Sequence, residues 1–458
     1  MKHAKSFILA SALAGVMLAG STAFAAMYEG YTQEEFDALE ETTVIPSEDS
    51  PTGYYVTFRY KDADAERVRI YGEWAFSDIA HATCYTSLNA APEEWEDGMV
   101  AWQTAGWPTA DMELNEETGV WSYTIPLPTG TWAYRFYVGG TEGAELTDTT
   151  DALLVADPAQ VNYLADGTDE KNLSGEQAFT SVYVPYDEEK QAKTIERAEE
   201  APRDGENGTV VYETVTATEG FETTYGIYLP YGYDPDREEE YPLFILYHGG
   251  GGYYGSWFTN GLANILDNMI AEGRLEPTVV VTPNCDKNDY DNDEHYQWAR
   301  ESLMDLVIHK IIPNMTEKYH TSGDPSKLAF GGLSLGGATA AYVMFHYTDY
   351  FDTFVMLSSP VTGDINLDYS KEALKDKNIF FGYGDFDFVA SRSIYKQAMD
   401  EAGNAVPVSK TFNEGSIFEY FYGLSDAGVE FTSINYPYGH DWVLWRKLIV
   451  DVCDMLWK

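Results

Sequence analysis

The pattern of apolar and polar positions divides the chain into two parts with different periods. Between residues 51 and 163, short β-rich runs alternate apolar and polar side chains with a period of two, and turn residues separate the runs. The clearest runs cover residues 55–60, 68–71, 121–125 and 132–138, with turns at 115–119 and 128–130. This pattern predicts a β-sandwich of immunoglobulin-like type.

Residues 208–458 follow a different pattern, in which short apolar runs alternate with longer amphipathic stretches. The apolar runs are 243–247, 278–281, 328–330, 354–357 and 378–381, and the helical stretches are 262–271, 300–318 and 336–346. Short, wholly apolar runs are typical of buried parallel strands. Strands alternating with helices predict a doubly wound α/β domain.

The segments between these parts are polar. Residues 26–50 are acidic and predict a tether, and residues 164–207 predict a linker with one ordered strand at 180–184. At the N-terminus, Lys2 and Lys5 precede an apolar run over 7–19, and residues 23–25 have the small–x–small pattern of a cleavage site. These features predict a cleavable signal peptide over residues 1–25, hence an exported protein without a stable membrane anchor.

The charge and the cysteines narrow the set of partners. With 28 basic and 75 acidic residues, the formal net charge is −47, which argues against nucleic acid and anionic membrane surfaces. Cys84, Cys285 and Cys453 are scattered and form neither a disulfide framework nor a zinc motif. We therefore expect isolated thiols, no metal and no organic cofactor. The oligomeric state stays open.

Ser334 lies in the best candidate for a catalytic motif, Gly332-Leu333-Ser334-Leu335-Gly336. A predicted strand precedes this glycine-rich turn and a predicted helix follows it, which is the setting of a nucleophile elbow. The head of the helix supplies backbone N–H groups and partial positive charge that favour a developing anion. The sequence therefore predicts that Ser334 is a nucleophile.

An acid and a histidine should follow the serine in that order. After Ser334 only His346 and His440 remain, and His346 falls late in the helix that begins at the elbow. His440 lies in a turn-rich loop after a predicted strand at 431–435, where the sites of α/β proteins lie. The strand at 378–381 leads to Asp385 and Asp387, and spacing alone leaves both open as the acid.

The predicted strand 243–247 leads into His248-Gly249-Gly250-Gly251-Gly252, which is similar to the HGGG-type loop of esterases and lipases. Bare glycine backbone can approach a substrate closely, so we expect the N–H groups of Gly250 and Leu335 to form an oxyanion hole. His248 is interpreted as a structural residue at the end of the strand. A phosphate-binding loop is disfavoured because no Gly-Lys-Ser/Thr follows.

These motifs, with Trp257, the segments 264–273 and 281–284 and Gly439-His440-Asp441-Trp442, resemble the feruloyl esterases of carbohydrate esterase family 1 over residues 208–458. The resemblance implies an α/β-hydrolase fold, Asp387 as the acid and Trp257 as a substrate contact. It further implies a Ser-His-Asp acyl-enzyme mechanism on feruloyl esters of arabinoxylan. Acetyl xylan esterase, siderophore esterase and a non-catalytic polysaccharide-binding protein remain alternatives.

Two further segments bear on substrate binding. Residues 68–74, 119–121 and 134–136 are similar to the family 48 carbohydrate-binding modules, which implies that the sandwich either holds polysaccharide or packs on the catalytic domain. An acidic loop at 286–294 is positioned to cover the site. Tyr290 occupies what would be a ligand position of a calcium loop, so a solvated loop is the preferred interpretation.

Overall fold

A computed structural model describes the protein over residues 39–78, 90–101, 107–141, 144–170, 175–284, 293–362, 367–387 and 416–458, together with residues 35–36, 173, 365, 389, 398–399 and 405–406. The predicted signal peptide, Cys84, Cys285 and most of the acidic loop 286–294 lie outside the described residues. Within the described ranges, no helix has the length and apolar character that a membrane span needs. Cys453 is a buried, unpaired thiol.

The N-terminal part of the chain forms two main antiparallel sheets. Its strands are β1 Thr43–Pro46, β2 Tyr54–Lys61, β3 Val68–Gly72, β4 Phe76–Ser77, β5 Val100–Ala101, β6 Thr109–Asp111, β7 Glu113–Asn115, β8 Val120–Pro126, β9 Gly130–Gly139, β10 Ala152–Val155 and β11 Thr180–Val184. One sheet has the order β1-β2-β8-β7 and the other β10-β9-β3-β6, with β11 also paired to β9. Strands β4 and β5 pair separately.

The two N-terminal sheets face each other across a shared apolar core. Phe58 of β2 packs edge-on against Tyr134 of β9, with ring centroids 4.6 Å apart. The Tyr134 hydroxyl donates to buried Asp157 at 2.6 Å, which ties β9 to the segment after β10. The alternating runs thus mark real strands, while the immunoglobulin-like character of the sheets stays a prediction.

The C-terminal part is an eight-stranded sheet of order β12-β13-β15-β14-β16-β17-β18-β21, parallel from β15 through β21. Its strands and the short hairpin beside them are β12 Thr209–Thr216, β13 Glu222–Leu229, β14 Leu243–Tyr247, β15 Val279–Thr282, β16 Leu328–Leu333, β17 Thr353–Leu357, β18 Asn378–Gly384, β19 Ala398–Met399, β20 Ala405–Val406 and β21 Thr432–Tyr436. The antiparallel pair β12–β13 was not predicted from the sequence.

Helices cover both faces of this sheet. They are α1 Ser256–Thr259, α2 Leu262–Ala271, α3 Asp293–Leu306, α4 Ile312–Tyr319, α5 Leu335–His346, α6 Ile417–Asp426 and α7 Trp442–Met455, with a π-helical turn at Val307–Ile311 and 3₁₀ turns at Pro92–Glu94, Gly175–Ala178, Ala198–Glu200, Pro325–Lys327 and Glu372–Asp376. Helices α2 and α7 share one hydrophobic cluster with the N-terminal sheets, while α3 to α6 pack in a second. The sheet is therefore doubly wound, and the α/β prediction is confirmed.

Two segments that the sequence presents as spacers are packed parts of the fold. The predicted tether 26–50 includes β1, whose residues pair with β2. In the predicted linker 164–207, β11 lies at the predicted strand position, and Gln191, Arg197 and Glu200 are buried, which was not predicted. Polar composition does not reveal this packing, because Arg197 and Glu200 are paired with each other inside the protein while most other charges of the segment are exposed.

Candidate active site

Ser334 lies at a sharp turn between β16 and α5. Its backbone has φ 53° and ψ −120°, outside the regions that non-glycine residues prefer. Such a conformation costs on the order of 1–3 kcal/mol and persists only where the surroundings enforce it. Here the Ser334 amide donates to the Leu357 carbonyl of β17 at 2.9 Å. The strained turn lifts the side chain above the carboxyl edge of the sheet.

The glycines of the motif are required by close approach of the backbone. A Cβ atom on Gly336 would lie 2.2 Å from the carbonyl oxygen of His248, and one on Gly332 would lie 2.5 Å from the carbonyl of Gly336. Both distances are below any real Cβ contact. Helix α5 therefore packs directly against the end of β14, which brings the loop after β14 beside the serine.

Three side chains meet above this edge in a hydrogen-bonded series. The Ser334 hydroxyl lies 2.9 Å from His440 Nε2, and His440 Nδ1 lies 2.9 Å from Asp387 Oδ1. Asp387 is fully buried, and its Oδ1 also accepts from the Val389 amide at 2.9 Å. The carboxylate favours the imidazole tautomer with its proton on Nδ1, which leaves Nε2 to accept the serine proton.

The alternative acid, Asp385, faces away from this series. Its Oδ1 accepts from the Asn435 side chain of β21 at 2.6 Å, and burial raises its pKa. His346 also lies elsewhere, with Nε2 bonded to the Ile365 carbonyl at 2.8 Å and its ring stacked on Tyr342. The structure thus brings together Ser334, His440 and Asp387.

The predicted oxyanion loop lies next to the serine. A Cβ atom on Gly249 would be 3.2 Å from Ser334 Cβ, and one on Gly250 would be 2.9 Å from the Leu335 side chain. The first bond of α5 runs from the Ala338 amide to the Ser334 carbonyl, so the Leu335 amide belongs to the helix turn whose N–H groups have no partner within the helix. The arrangement offers backbone donors from two segments to one oxygen.

His248 fixes this loop and does not reach the serine. Its buried ring is hydrogen-bonded through Nδ1 to the Gly249 carbonyl and through Nε2 to Asn284 Oδ1, at 2.7 and 3.0 Å. It thereby ties the loop to the end of β15, which agrees with a structural role. In the sequence, Asn284 is marked only as the last residue of the segment 281–284.

The predicted substrate contact at Trp257 is wrong. The sequence resemblance implied a substrate contact, but the side chain is 2% exposed and lies in the hydrophobic core. Its indole N–H donates to the Tyr247 carbonyl at 3.1 Å, and its ring meets Trp442 edge-on. Because its N–H group is hydrogen-bonded and its ring is packed inside the protein, Trp257 holds the end of β14, from which the oxyanion loop begins.

The loop that carries His440 is held by residues that the motifs do not include. Trp445 packs edge-on against the imidazole at 5.0 Å, and its indole N–H donates to Ser358 Oγ at 2.8 Å. On the other side, the buried Arg197 donates to the Val443 carbonyl at 2.6 Å and lies over the Tyr438 ring. The only hint in the sequence is the pair of tryptophans at 442 and 445, one helical turn apart.

Buried ion pairs join the start of α7 to the N-terminal half. Arg446 lies 3.1 Å from Glu73, donates to the Thr131 carbonyl at 2.6 Å, and lies 3.3 Å from Glu200. Arg197 binds the other oxygen of Glu200 at 2.6 Å. Burial raises the pKa of Glu73, and the Arg446 charge opposes that rise.

Asp441, next to His440, begins α7. It caps the helix by accepting from the Leu444 amide at 3.1 Å. Burial, and then the Glu73 charge, raise the pKa of Asp441 to about 7. No cluster of three or more metal-ligating side chains occurs among the residues that the structure describes.

The α/β part of the chain, which carries the site, is similar to known esterases. Residues 216–404 match the family model Esterase, whose description is "Putative esterase". Endo-1,4-beta-xylanase Y of Acetivibrio thermocellus is 39% identical over 163 residues, which cover 33% of this chain and 14% of that protein. Endo-1,4-beta-xylanase/feruloyl esterase of Xylanibacter ruminicola is 30% identical over 243 residues, covering 51% of this chain and 29% of that protein. The matched part of the chain is therefore a carboxylic ester hydrolase domain.

A solved structure extends the likeness of fold to the N-terminal sheets. The enterobactin esterase of Shigella flexneri superposes with a TM-score of 0.52 at 14% identity, covering 93% of this chain and 98% of that one. Coverage of this extent includes the N-terminal sheets as well as the α/β part. By contrast, the chain spans only 14% and 29% of the two relatives named above.

Proposed function

We propose that the protein is an exported serine esterase that hydrolyses feruloyl and related hydroxycinnamoyl esters on arabinoxylan. The observation that carries the proposal is the hydrogen-bonded series from Ser334 through His440 to Asp387, at a strained elbow inside an esterase-family domain. The relative named as a feruloyl esterase, 30% identical over 243 residues, supports the substrate class.

In the first half-reaction, the Ser334 oxygen attacks the ester carbonyl carbon while its proton moves to His440 Nε2. Asp387 stabilises the imidazolium that forms and keeps its ring in place. The carbonyl oxygen becomes an anion that accepts hydrogen bonds from the amides of Leu335 and Gly250. The bond to the sugar oxygen then breaks, and that oxygen takes the proton from His440.

In the second half-reaction, water takes the place of the alcohol. It attacks the carbonyl carbon of the acyl-enzyme and gives its proton to His440 Nε2. When the second tetrahedral intermediate collapses, the Ser334 oxygen leaves and regains that proton. The products are a free hydroxycinnamate and the unmodified enzyme, and the cycle requires only groups of this chain and water.

The export part of the proposal rests on the basic start, the apolar run over 7–19 and the cleavage pattern at residues 23–25. An exported esterase meets polymeric plant cell-wall material outside the cell, which agrees with the substrate class. Detection of the chain in the culture medium or periplasm, with a new N-terminus near residue 26, would test this part.

The activity is tested with purified full-length protein on methyl ferulate, acetylated xylan and a catecholate trilactone, with Ser334→Ala as the control. We expect ferulate release to exceed acetate release, and Ser334→Ala to lose at least about 10³-fold in kcat. Activity that survives in Ser334→Ala would overturn the mechanism. Acetate or trilactone hydrolysis without ferulate release would overturn the substrate class.

Covalent labelling separates an esterase from a polysaccharide-binding protein on an inactive scaffold. A fluorophosphonate should modify the wild-type protein once, at Ser334, because the probe requires an activated serine. Mass spectrometry of the intact chain and of its peptides locates the adduct. A wild-type chain that stays unlabelled would favour the binding protein.

A further inference from the structure

A polar cavity of about 540 Å³ lies at the carboxyl edge of the α/β sheet, beyond the oxyanion loop. Its walls come from three parts of the chain: the N-terminal segment at 175–177, the hairpin β12–β13 at Thr214 and 222–224, and the loop 251–254. The volume falls within the range of roughly 300–1,000 Å³ that small-molecule sites occupy. Nothing in the proposed acyl transfer uses this cavity.

The sheet order gives its position relative to Ser334. The serine follows β16, the oxyanion loop follows β14, and Asn284, which lines the cavity, follows β15. These three strands are consecutive neighbours, so the cavity lies about two strand spacings, roughly 10 Å, from the nucleophile. Gly251 and Gly252 of the same loop form its near wall.

The chemistry of the described lining is that of a site for a neutral polyol. Thr214 and Thr224 supply accessible hydroxyls, Gln177 and Asn284 are amides, and Glu222 is an exposed carboxylate. The hydroxyls of Thr223, Tyr253 and Tyr254 are hydrogen-bonded within the protein. Among the described lining residues there is neither a lysine, an arginine nor an aliphatic side chain. Such walls suit a sugar with many hydroxyls, and they suit an anion or an aryl ring poorly.

Glu176 shows that one polar atom at this site lacks a partner. Hydrogen bonds from Ser256 and Trp442 hold the carboxylate against the α/β part. Its Oε2 is enclosed and has no hydrogen-bond partner within the described structure. Burial raises the pKa of Glu176. Because Oε2 is enclosed, Glu176 supports the wall from inside the protein, and the hydroxyls at the cavity surface are left to contact a ligand.

The N-terminal part holds this wall in place. Arg135 of β9 donates to the Gly175 carbonyl at 2.8 Å, and a Cβ atom on Gly175 would lie 3.6 Å from the Gly251 carbonyl oxygen. The segment 175–177 thus lies directly against the oxyanion loop. It connects the N-terminal strands to β11, so the wall belongs to the N-terminal half of the chain.

We propose that this cavity binds a pentose of the polysaccharide main chain, one or two residues away from the esterified sugar. The inference rests on the proposed function, since it assigns the sugar side of the same substrate. A pentose there exchanges hydrogen bonds with the accessible hydroxyls of Thr214 and Thr224. The N-terminal segment then acts as a specificity element for polymeric over small esters.

The test removes hydroxyls without changing shape. Thr214 and Thr224 face each other across β12 and β13, with hydroxyl oxygens 3.2 Å apart, and Thr→Val is nearly isosteric. In the double variant Thr214→Val/Thr224→Val, kcat/KM for a feruloylated arabinoxylo-oligosaccharide should fall about tenfold more than kcat/KM for methyl ferulate, because two hydrogen bonds to sugar are lost. An equal fall for both esters, or no fall, would overturn the inference.

The chain offers a matched control. Thr57 and Thr124 form the same kind of cross-strand pair between β2 and β8, with hydroxyl oxygens 2.8 Å apart and far from the cavity lining. Thr57→Val/Thr124→Val should leave the ratio of the two kcat/KM values as in the wild type. A changed ratio in this control would show that the readout reports general destabilisation.

A binding measurement separates failure of this inference from failure of the proposed function. Titration calorimetry of Ser334→Ala with an arabinoxylo-oligosaccharide that carries no ester should give a Kd that weakens about tenfold when Thr214→Val/Thr224→Val is added. If ferulate esters are not hydrolysed but this shift is observed, the cavity assignment stands and the substrate class fails. If ferulate esters are hydrolysed and no shift is observed, the cavity assignment fails alone.

Discussion

Two loops at the same edge of the sheet hold the reacting groups by different means. Ser334 is placed by backbone contacts within the α/β part: an amide bond to Leu357 and the contact of Gly336 with His248. His440 is placed by side chains, several of which come from the N-terminal half. Arg197 contacts the loop on both sides of the histidine, and Arg446 anchors α7 to Glu73.

The difference separates what the α/β fold supplies from what this chain adds. The glycine-rich elbow is held by close backbone contacts, so its position does not depend on charged groups. The same close contacts leave almost no room for a side chain at the glycines. A loop held through buried ion pairs depends on every partner, because one missing member leaves a charge without compensation inside the protein. The elbow should therefore be sensitive to added volume, and the histidine loop to lost charge.

The largest effect is expected from volume at the elbow. Gly336→Ala places a methyl group 2.2 Å from the His248 carbonyl, so α5 and the oxyanion loop must separate. We expect kcat for methyl ferulate to fall about 10²–10³-fold, the loss typical of one oxyanion donor. Gly323→Ala is the control, since its Cβ has open space apart from Thr316 at 4.0 Å. Equal kinetics for the two variants would contradict this account of the elbow.

Loss of charge at α7 comes next. Arg446→Met keeps most of the apolar stem but leaves Glu73 and Glu200 buried without this cation. We expect the free energy of unfolding to fall by about 3–5 kcal/mol and kcat to fall with it. Urea denaturation and steady-state kinetics measure the two effects.

The control for this change is Arg274→Met. Arg274 also contacts α7, through Asp454 at 2.6 Å, but its side chain is 32% exposed. An exposed pair contributes about 0–1 kcal/mol, so this variant should be nearly neutral. A loss as large as that of Arg446→Met would show that burial is not what distinguishes the two sites.

A smaller, pH-dependent effect is expected at Asp441. The pKa of this carboxyl is raised to about 7, so between pH ~4 and ~7 the folded protein retains a proton that the unfolded chain releases. The carboxyl therefore makes the folded state progressively less stable as pH rises through that window. Asp441→Asn keeps a capping side chain. The urea midpoint of Asp441→Asn should equal that of the wild type at pH 4. The midpoint of the variant should exceed that of the wild type increasingly up to pH 7, and the difference should then stay constant.

Asp324→Asn provides the comparison for the pH series. Asp324 also caps a short helix, by accepting from the Ser326 amide, but hydrogen bonds from Ser326 lower its pKa. A carboxyl with a lowered pKa favours the folded state at higher pH, so this variant should gain no advantage as pH rises. If both variants behave alike, the raised pKa that burial and the Glu73 charge give Asp441 is not the cause.

The smallest effect concerns Trp445, which touches the imidazole directly. Trp445→Phe keeps an aromatic edge near His440 but removes the hydrogen bond to Ser358. We expect kcat to fall about three- to tenfold with little change in KM, as one hydrogen bond contributes about 1 kcal/mol. Trp457→Phe loses a similar bond, to Thr278, and should change stability alone. A fall in kcat in both would indicate loss of folded protein.

The parts of the fold that depend on local pattern were predictable from the sequence. Helix α2 matches the predicted bounds at both ends, as do β11 and β14. The predicted helix at 300–318 was interrupted, because a π-helical turn at Val307–Ile311 leaves no mark in the apolar spacing. The hairpin β12–β13 was missed because both strands mix apolar with polar side chains and β12 has no buried residue, so neither strand shows the wholly apolar run of a buried parallel strand.

In the site, too, the features with a local sequence pattern could be predicted and the others could not. The elbow and His440 carry short motifs, so their positions could be predicted before any geometry was known. The choice of Asp387 instead of Asp385 as the acid came from a family resemblance. The structure places Asp387 beside the imidazole. The contacts of Arg197, Glu73 and Arg446 could not be predicted, because pairing between residues so far apart in the chain has no local signature.

The bond between Glu73 and Arg446 joins residues 373 positions apart. Glu73 lies in the N-terminal part of the chain and Arg446 in α7, so Glu73 is without this cation until α7 has been synthesised. Closing so long a loop is a late and entropically costly event. A chain that ends before residue 440 would lack both the histidine of the site and the cation that pairs with Glu73. The hydrogen-bonded series from Ser334 to Asp387 is therefore completed by a histidine that follows every strand the structure describes.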